Sequence, residues 1–197
     1  MKSHFFAILA RMKFIYRWGL MHNTIEENIQ EHTLQVAMIA HNLAILRNMY
    51  YDGHVNPDRV AVLAMYHDVS EVYTGDLPTP IKYFSTDMRQ HYGIIEKQAQ
   101  EKLLHTLPAE LQSIYAAYLV QPERDDLWEL VKAADTISAF LKCAEEKKSG
   151  NPEFNEAYIS TLEKLNANPL PEVKRFLDTF GTSFSLSVDA MNKEDLL

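Results

Sequence analysis

Two histidines and two aspartates mark where this sequence could do chemistry. Val60, Leu63, Ala64 and His67 fall at i, i+3, i+4 and i+7. The His67 imidazole of the His67-Asp68 pair therefore points with the apolar side of a helix. His32 precedes Val36, Ile39 and Leu43 at i+4, i+7 and i+11 and faces inward too. Asp135 sits inside Leu130-Val131-Lys132-Ala133-Ala134-Asp135-Thr136-Ile137. A carboxylate there is costly to bury unless it is paired or bound to a metal. Singly, each has an ordinary explanation. A lone inward histidine is most often a core residue with satisfied ring nitrogens. Asp68 could make a local bond at a helix end, and Asp135 could pair with a lysine or arginine. Together, on three apolar-faced helices, the residues look like a metal site. Imidazole and carboxylate without thiolate suit Mn, Fe, Co, Ni or Zn. Four protein ligands in an octahedral shell leave two positions for water and substrate. A divalent ion in such a shell lowers the pKa of bound water and polarises a phosphoryl oxygen.

Chemistry at a phosphoryl group is mainly a problem of positioning and of stabilising charge. Arg17 could fork onto phosphoryl oxygens in a way that lysine does less well. Alone it reads as a solvated residue at a helix end. Glu71 lies four residues after His67, one helical turn on. It could take a proton from an attacking water or give one to a departing oxygen, and residue type does not choose between these roles. Alone it is a surface glutamate. Trp18 would ordinarily pack a core. Asp76-Leu77-Pro78-Thr79-Pro80 reads as a proline-stiffened loop.

The elements that must position these residues are helical. Apolar spacing predicts helices over 30–50, from the Asn56-Pro57 start to the Gly75 stop, and over 87–107. Pro108 opens a short helix, and Asp125 or Asp126 caps another that runs to Lys148. Two more follow near 153–165 and 171–179. Phe184 to Val188 alternates weakly and could be extended. The class is all-α, with roughly eight helices in one domain of 197 residues. A net charge of −8 argues against duplex nucleic acid or an anionic membrane as partner. The single cysteine, Cys143, excludes an intramolecular disulfide and any cysteine-based zinc cluster. No apolar run approaches the roughly 20 residues of a membrane span. The six-residue run Phe5 to Ala10 is too short for an export signal. A cytoplasmic protein is expected.

The order His32 … His67-Asp68 … Asp135 resembles that of the HD-domain superfamily of metal-dependent phosphohydrolases. Within it, several segments are similar to bacterial 5′-deoxynucleotidases. These are Arg17-Trp18, Glu31 to Ala37, Met65 to Val72, Gly75 to Phe84, Ala134-Asp135-Thr136 and Phe140 to Cys143. The resemblance covers about 1–148 and fades past Gly150. Gln30 stands where that family has Ser. The resemblance implies an HD-domain helical bundle, with C-terminal helices over 150–197. It implies His32, His67, Asp68 and Asp135 as ligands of one divalent ion, Co or Mn before Zn, Fe or Mg. It implies a homodimer that hydrolyses deoxyribonucleoside 5′-monophosphates to deoxynucleoside and phosphate. Trp18 would crowd the place of a ribose 2′-hydroxyl and so select against ribonucleotides. Asp76 would accept the 3′-hydroxyl, beside Leu77, Pro78 and Thr79 as substrate contacts. Arg17, Glu71 and Asp68 would be the catalytic set, with Arg17 and Asp68 also touching substrate. Two other expectations compete. One is an HD phosphohydrolase acting on a triphosphate, a cyclic nucleotide or guanosine tetraphosphate. The other is an inactive helical interaction protein that keeps its metal for stability.

Overall fold

Asn28 starts the helix against which the others pack. In the computed structural model, which describes residues 2–120 and 126–193, Asn28 Oδ1 accepts from the Glu31 amide at 3.0 Å. Glu31 Oε2 accepts from the Asn28 amide at 3.3 Å. This reciprocal cap satisfies two orphan amides and makes no use of residue 30, where Gln30 departs from the resembled pattern. The helices in order are α1 (Phe5–Leu9), α2 (Ile29–Tyr50), α3 (Pro57–Met65), α4 (Glu71–Thr74), α5 (Thr79–Lys82), α6 (Thr86–Leu104), α7 (Ala109–Leu119), α8 (Asp126–Lys148), α9 (Asn155–Asn166), α10 (Pro171–Phe180) and α11 (Val188–Met191). Three 3-10 turns join them, and no strand occurs among the described residues.

The excess over eight helices comes from one-turn pieces, too short for a period to register. Thr79 belongs to one of these rather than to a stiff loop, because Pro80 falls in the first turn of α5, where proline is tolerated. Helix α6 starts on the Ser85 cap and ends at Leu104, short of the predicted 107. The weak alternation after Phe184 is not a strand. Residues Gly181–Ser185 form a 3-10 turn and α11 follows, with no neighbouring strand among the described residues to pair with. Asp125, one of the two candidate caps of α8, lies outside the described residues.

Helix α2 runs through the middle, with α3, α8 and α10 packed on it. Val36, Ala40 and Leu43 from α2 share one apolar cluster with Val60 of α3 and Leu130, Ile137 and Leu141 of α8. Leu165, Val173 and Phe176 from α9 and α10 close the same cluster. A second cluster joins Phe5, Met12 and Ile29 to Leu103 and Leu119 of α6 and α7. None of the described helices is long and apolar enough to cross a membrane.

The segment from Ile15 to Asn28 is held without regular structure. Its ends pair with each other through Ile29 N to Ile15 O and Arg17 N to Glu27 O, both 2.9 Å. Its middle is fastened by Glu146 of α8, whose carboxylate is fully buried. Glu146 accepts from the Thr24 and Ile25 amides at 3.0–3.1 Å, from Asn151 Nδ2 at 2.8 Å and from Lys142 Nζ at 2.5 Å. Lys142 Nζ also donates to the Ile25 carbonyl.

Burial works against the charge of Glu146, but these donors outweigh it and hold the carboxyl down from its usual 4.5 to about 2. A pKa depressed in the folded state adds stability above the unfolded value, and that contribution is lost as pH falls from about 4.5 toward 2. Urea melts over this range should therefore show a steep acid loss in the wild type that Glu146→Gln lacks. Glu146→Ala, which leaves Lys142 buried without its partner, should cost about 3–5 kcal/mol at neutral pH. Matching pH profiles for wild type and Glu146→Gln would remove Glu146 as the source.

Candidate active site

Each histidine of the cluster has its tautomer set by a bond on the far side of the ring. His32 lies in the first turn of α2, and its Nδ1 is 3.1 Å from Ser138 Oγ on α8. Ser138 Oγ donates its own proton to Gln35 Oε1 at 2.6 Å. It can therefore only accept from His32, which places the imidazole proton on Nδ1 and a lone pair on Nε2. His67 Nδ1 lies 2.7 Å from the Ala64 carbonyl, which cannot donate, so its Nδ1 carries a proton as well.

His67 and Asp68 do not stand on a helix. Helix α3 ends at Met65, and residues 66–70 form a tight turn that leads into α4. His67 keeps its inward direction because its amide still reaches the Ala64 carbonyl at 3.3 Å. Glu71 is thus not one turn further along the same helix. It opens α4, and its amide bonds to the Asp68 carbonyl at 3.0 Å.

Four side chains converge at this point. Asp135 Oδ1 lies 3.2 Å from His32 Nε2 and 4.0 Å from His67 Nε2. Asp68 Oδ2 lies 3.0 Å from His67 Nε2 and 3.6 Å from His32 Nε2. One ligand atom from each of His32, His67 and Asp135 falls within a 4.8 Å span. Ligands set at right angles around one ion at about 2.1 Å are about 3.0 Å apart, so these spacings fit a single cation. The stronger argument is chemical. His32 Nε2 is buried and has no hydrogen-bond partner among the described residues, and the lone pair placed there by Ser138 faces a carboxylate oxygen. Two acceptors held together out of water call for a cation between them. Burial and the Arg17 charge lower the His32 pKa, so a proton does not readily fill that role there. At His67 burial also opposes charge, but Asp68 and then Asp135 outweigh it and raise the pKa.

Asp135 pairs with a lysine, as one of its sequence readings expects, and still turns an oxygen toward the histidines. Its Oδ2 takes a 2.6 Å bond from Lys132, one turn back on α8, while Oδ1 faces the histidines. Burial disfavours its charge, but Lys132 and the two imidazoles hold the carboxyl well below the usual range. Burial likewise opposes the charge of Asp68, and His67 overcomes it and drives that pKa down.

Arg17 and Trp18 lie beyond the end of the first helix, in the Glu146-fastened segment. Arg17 Nη1 is 3.6 Å from Asp68 Oδ2, so the guanidinium faces the cluster. Burial disfavours its charge, but Asp135, Asp68, Glu27 and Asp76 raise its pKa further. Trp18 sits in the left-handed region at φ 61°. That strain is held by Asp76 Oδ2, which accepts the Trp18 amide at 3.2 Å. The indole stands edge-on to Phe154 at 5.3 Å. Asp76 itself is raised above the usual carboxylate range by burial, although Arg17 works the other way.

Glu71 is 7% exposed, and its Oε2 has no hydrogen-bond partner among the described residues. Burial, then Asp68 and Asp76, push its carboxyl up to about 10. Gly75, at φ 72°, turns the chain after α4. Leu77 and Pro78, which follow Asp76 in sequence, are half-buried, and Thr79 after them is exposed. Cys143 is buried, and burial pushes its thiol up to about 11, which leaves no nucleophile there at neutral pH.

Two polar residues of the site escape sequence reasoning. Ser138 could have been noticed as a hydroxyl one turn from Asp135 on a buried face. Glu27, which bonds to both Arg17 and Trp18, has no periodic signal, because it meets them across an irregular loop.

Comparison with known proteins places this arrangement. The family described as 5′-deoxynucleotidase YfbR-like matches residues 4–184. A 5′-deoxynucleotidase of Cronobacter sakazakii is 50% identical over 197 residues, covering 100% of this chain and 99% of that protein. An HD-domain phosphohydrolase from Listeria innocua superposes with a TM-score of 0.81 at 24% identity, over 97% of this chain and 92% of its own. The HD phosphohydrolase DatZ of cyanophage S-2L, solved with dA and one catalytic Zn2+ ion, gives a TM-score of 0.62 at 22% identity, over 90% and 95%.

The tautomer argument is open to a direct test. Ser138→Ala removes the acceptor of the His32 Nδ1 proton and should weaken Mn binding by roughly 10–100-fold. Calorimetric titration of metal-stripped protein measures it, and an unchanged affinity would separate Ser138 from the cluster.

Proposed function

Because the chain belongs to the YfbR-like 5′-deoxynucleotidase family, we propose that it hydrolyses deoxyribonucleoside 5′-monophosphates to deoxynucleoside and inorganic phosphate. The observation that carries this reading is the Arg17 guanidinium, 3.6 Å from Asp68 and facing the same cluster as His32, His67 and Asp135. That pairing of a planar cation with a metal-ligand set suits a phosphate dianion.

In this reading His32, His67, Asp68 and Asp135 hold one divalent ion, Co or Mn in preference to Zn, Fe or Mg. Such an ion supplies positive charge that lowers the pKa of nearby acids and water and polarises a phosphoryl oxygen. Arg17 grips the remaining phosphoryl oxygens through its terminal nitrogens. Asp68, beside both Arg17 and the histidines, orients the phosphate as well as the ion. Glu71 moves the proton. In the protein alone its carboxyl is raised to about 10, and a divalent ion bound beside it would lower that pKa. A carboxyl so lowered can take a proton from water and give one to the leaving 5′-oxygen. Asp76 spends one oxygen on the Trp18 amide, which leaves the other to accept a 3′-hydroxyl. The Trp18 ring, fixed against Phe154, takes up the place of a 2′-hydroxyl, and Leu77, Pro78 and Thr79 wall the sugar and base.

The reading extends to a cytoplasmic homodimer in which residues 1–197 form one HD domain. The placement of Leu165, Val173 and Phe176 in the core built by α2, α3 and α8 supports that extent.

Phosphate release from dAMP and AMP, measured with metal-stripped protein with and without Mn or Co, tests the reading. Release from dAMP that requires added metal is the expected result. Turnover that survives complete metal removal, or none with any deoxynucleoside monophosphate, would overturn it. Glu71→Ala should lower kcat by about 10²–10⁴-fold and leave Mn binding nearly intact. A parallel loss of metal would make Glu71 part of the ion's cage instead.

A further inference from the structure

Arg17 and Trp18 are adjacent in sequence and face different parts of a substrate, yet one oxygen serves both. Glu27 Oε2 accepts from Arg17 Nε at 3.2 Å and from Trp18 Nε1 at 3.1 Å. The arginine and the glutamate are both mostly buried, with side-chain exposures of 12% and 14%. With Nε held on Glu27, the guanidinium plane is fixed and its terminal nitrogens turn toward Asp68. The same oxygen sets the rotation of the indole ring. Glu27 is itself placed by the backbone, since its carbonyl accepts the Arg17 amide at 2.9 Å and the Asn28 cap of α2 follows at once.

The charge of Glu27 makes the arrangement informative. A carboxylate close to a phosphate-binding arginine repels a dianion, so electrostatics alone argue against an acid here. Orientation is what it adds. We propose that Glu27 is a positioning residue that locks the Arg17 guanidinium and the Trp18 indole as one unit, so that phosphate grip and sugar discrimination are set together. The proposal rests on the reading of Arg17 and Trp18 as substrate-facing residues.

Glu27→Ala and Glu27→Gln test it in the Mn-loaded protein, with kcat and KM measured for dAMP and AMP. Glu27→Ala should raise KM for dAMP about tenfold and lower the dAMP/AMP ratio of kcat/KM by a similar factor, with kcat less affected. Glu27→Gln keeps an acceptor oxygen in the same place and should restore most of the ratio. A second readout needs no turnover. The chain has two tryptophans, so in a Trp128→Phe background Trp18 is the sole emitter. Glu27→Ala should there increase acrylamide quenching of Trp18. Unchanged quenching would overturn the proposal. So would equal losses in Glu27→Ala and Glu27→Gln at a fixed dAMP/AMP ratio, which is the behaviour of a merely structural residue. Trp18→Ala separates this from failure of the functional reading. If Trp18→Ala shifts the ratio and Glu27→Ala does not, Glu27 does not act through the indole and the proposal fails. If neither shifts it while quenching rises, Glu27 holds the ring and the sugar-selecting role of Trp18 is what falls.

Discussion

Carboxyl groups crowded into one largely buried region are the constraint around which this bundle is arranged. Asp68, Asp135, Glu71, Asp76 and Glu27 all act on one small region, and Arg17 and Lys132 are the cations placed among them. A buried carboxylate persists only where something positive or a donor meets it. Each element brings part of the answer. Helix α2 contributes an imidazole, the turn after α3 contributes a second imidazole with Asp68, α8 contributes Asp135 and its lysine, and the irregular segment contributes Arg17. In this region His32 Nε2 and Glu71 Oε2 are buried with no hydrogen-bond partner among the described residues. In the proposed reading these are the atoms an ion and a proton transfer would use.

Helix α8 displays the contrast within one element. Asp135 and Glu146 are eleven residues apart, about three turns. Glu146 meets amides, an amide side chain and an ammonium, and its carboxyl sits near 2. Asp135 is satisfied by Lys132 on one oxygen only and turns the other toward imidazole nitrogens. The first carboxylate is spent on holding the chain. The second keeps coordination capacity in reserve. The same residue chemistry thus holds the chain near the C-terminal end of α8 and, in the proposed reading, holds an ion near its middle, and the difference lies in the count of donors.

Much of this was legible before any coordinates. His32 and Asp135 sit on long amphipathic helices, where the 3.6-residue period reports direction directly. His67 was placed correctly although its helix ends two residues earlier, because the turn at 66–70 continues the inward course. Loop residues carry no period, so Arg17, Trp18 and Asp76 could be singled out only through resemblance. Glu27 could not be found at all, since its partners lie nine and ten residues away across an irregular segment. The one-turn helices α5 and α11 have four residues each, too few to display an apolar face, and the period that predicts one helix up to Gly75 does not register the turn at 66–70 that separates α3 from α4. At 184–188, side-chain alternation suggested extension, but a strand also needs an edge to pair with.

The fastening of the Arg17–Trp18 segment to Glu146 has a consequence for how the protein comes into being. The bond from Thr24 to Glu146 spans 122 residues of chain. The bond from Asn151 to the His22 carbonyl spans 129. Contacts so distant in sequence form late, after the loop between them has been closed at an entropic cost. During synthesis this segment is made well before its anchor, because Glu146 lies 122 residues further along the chain than Thr24. Until then the Arg17–Trp18 segment lacks this fastening. A chain cut before Glu146 would keep His32, His67, Asp68 and Asp135 but lack the carboxylate that fastens the segment bearing Arg17 and Trp18.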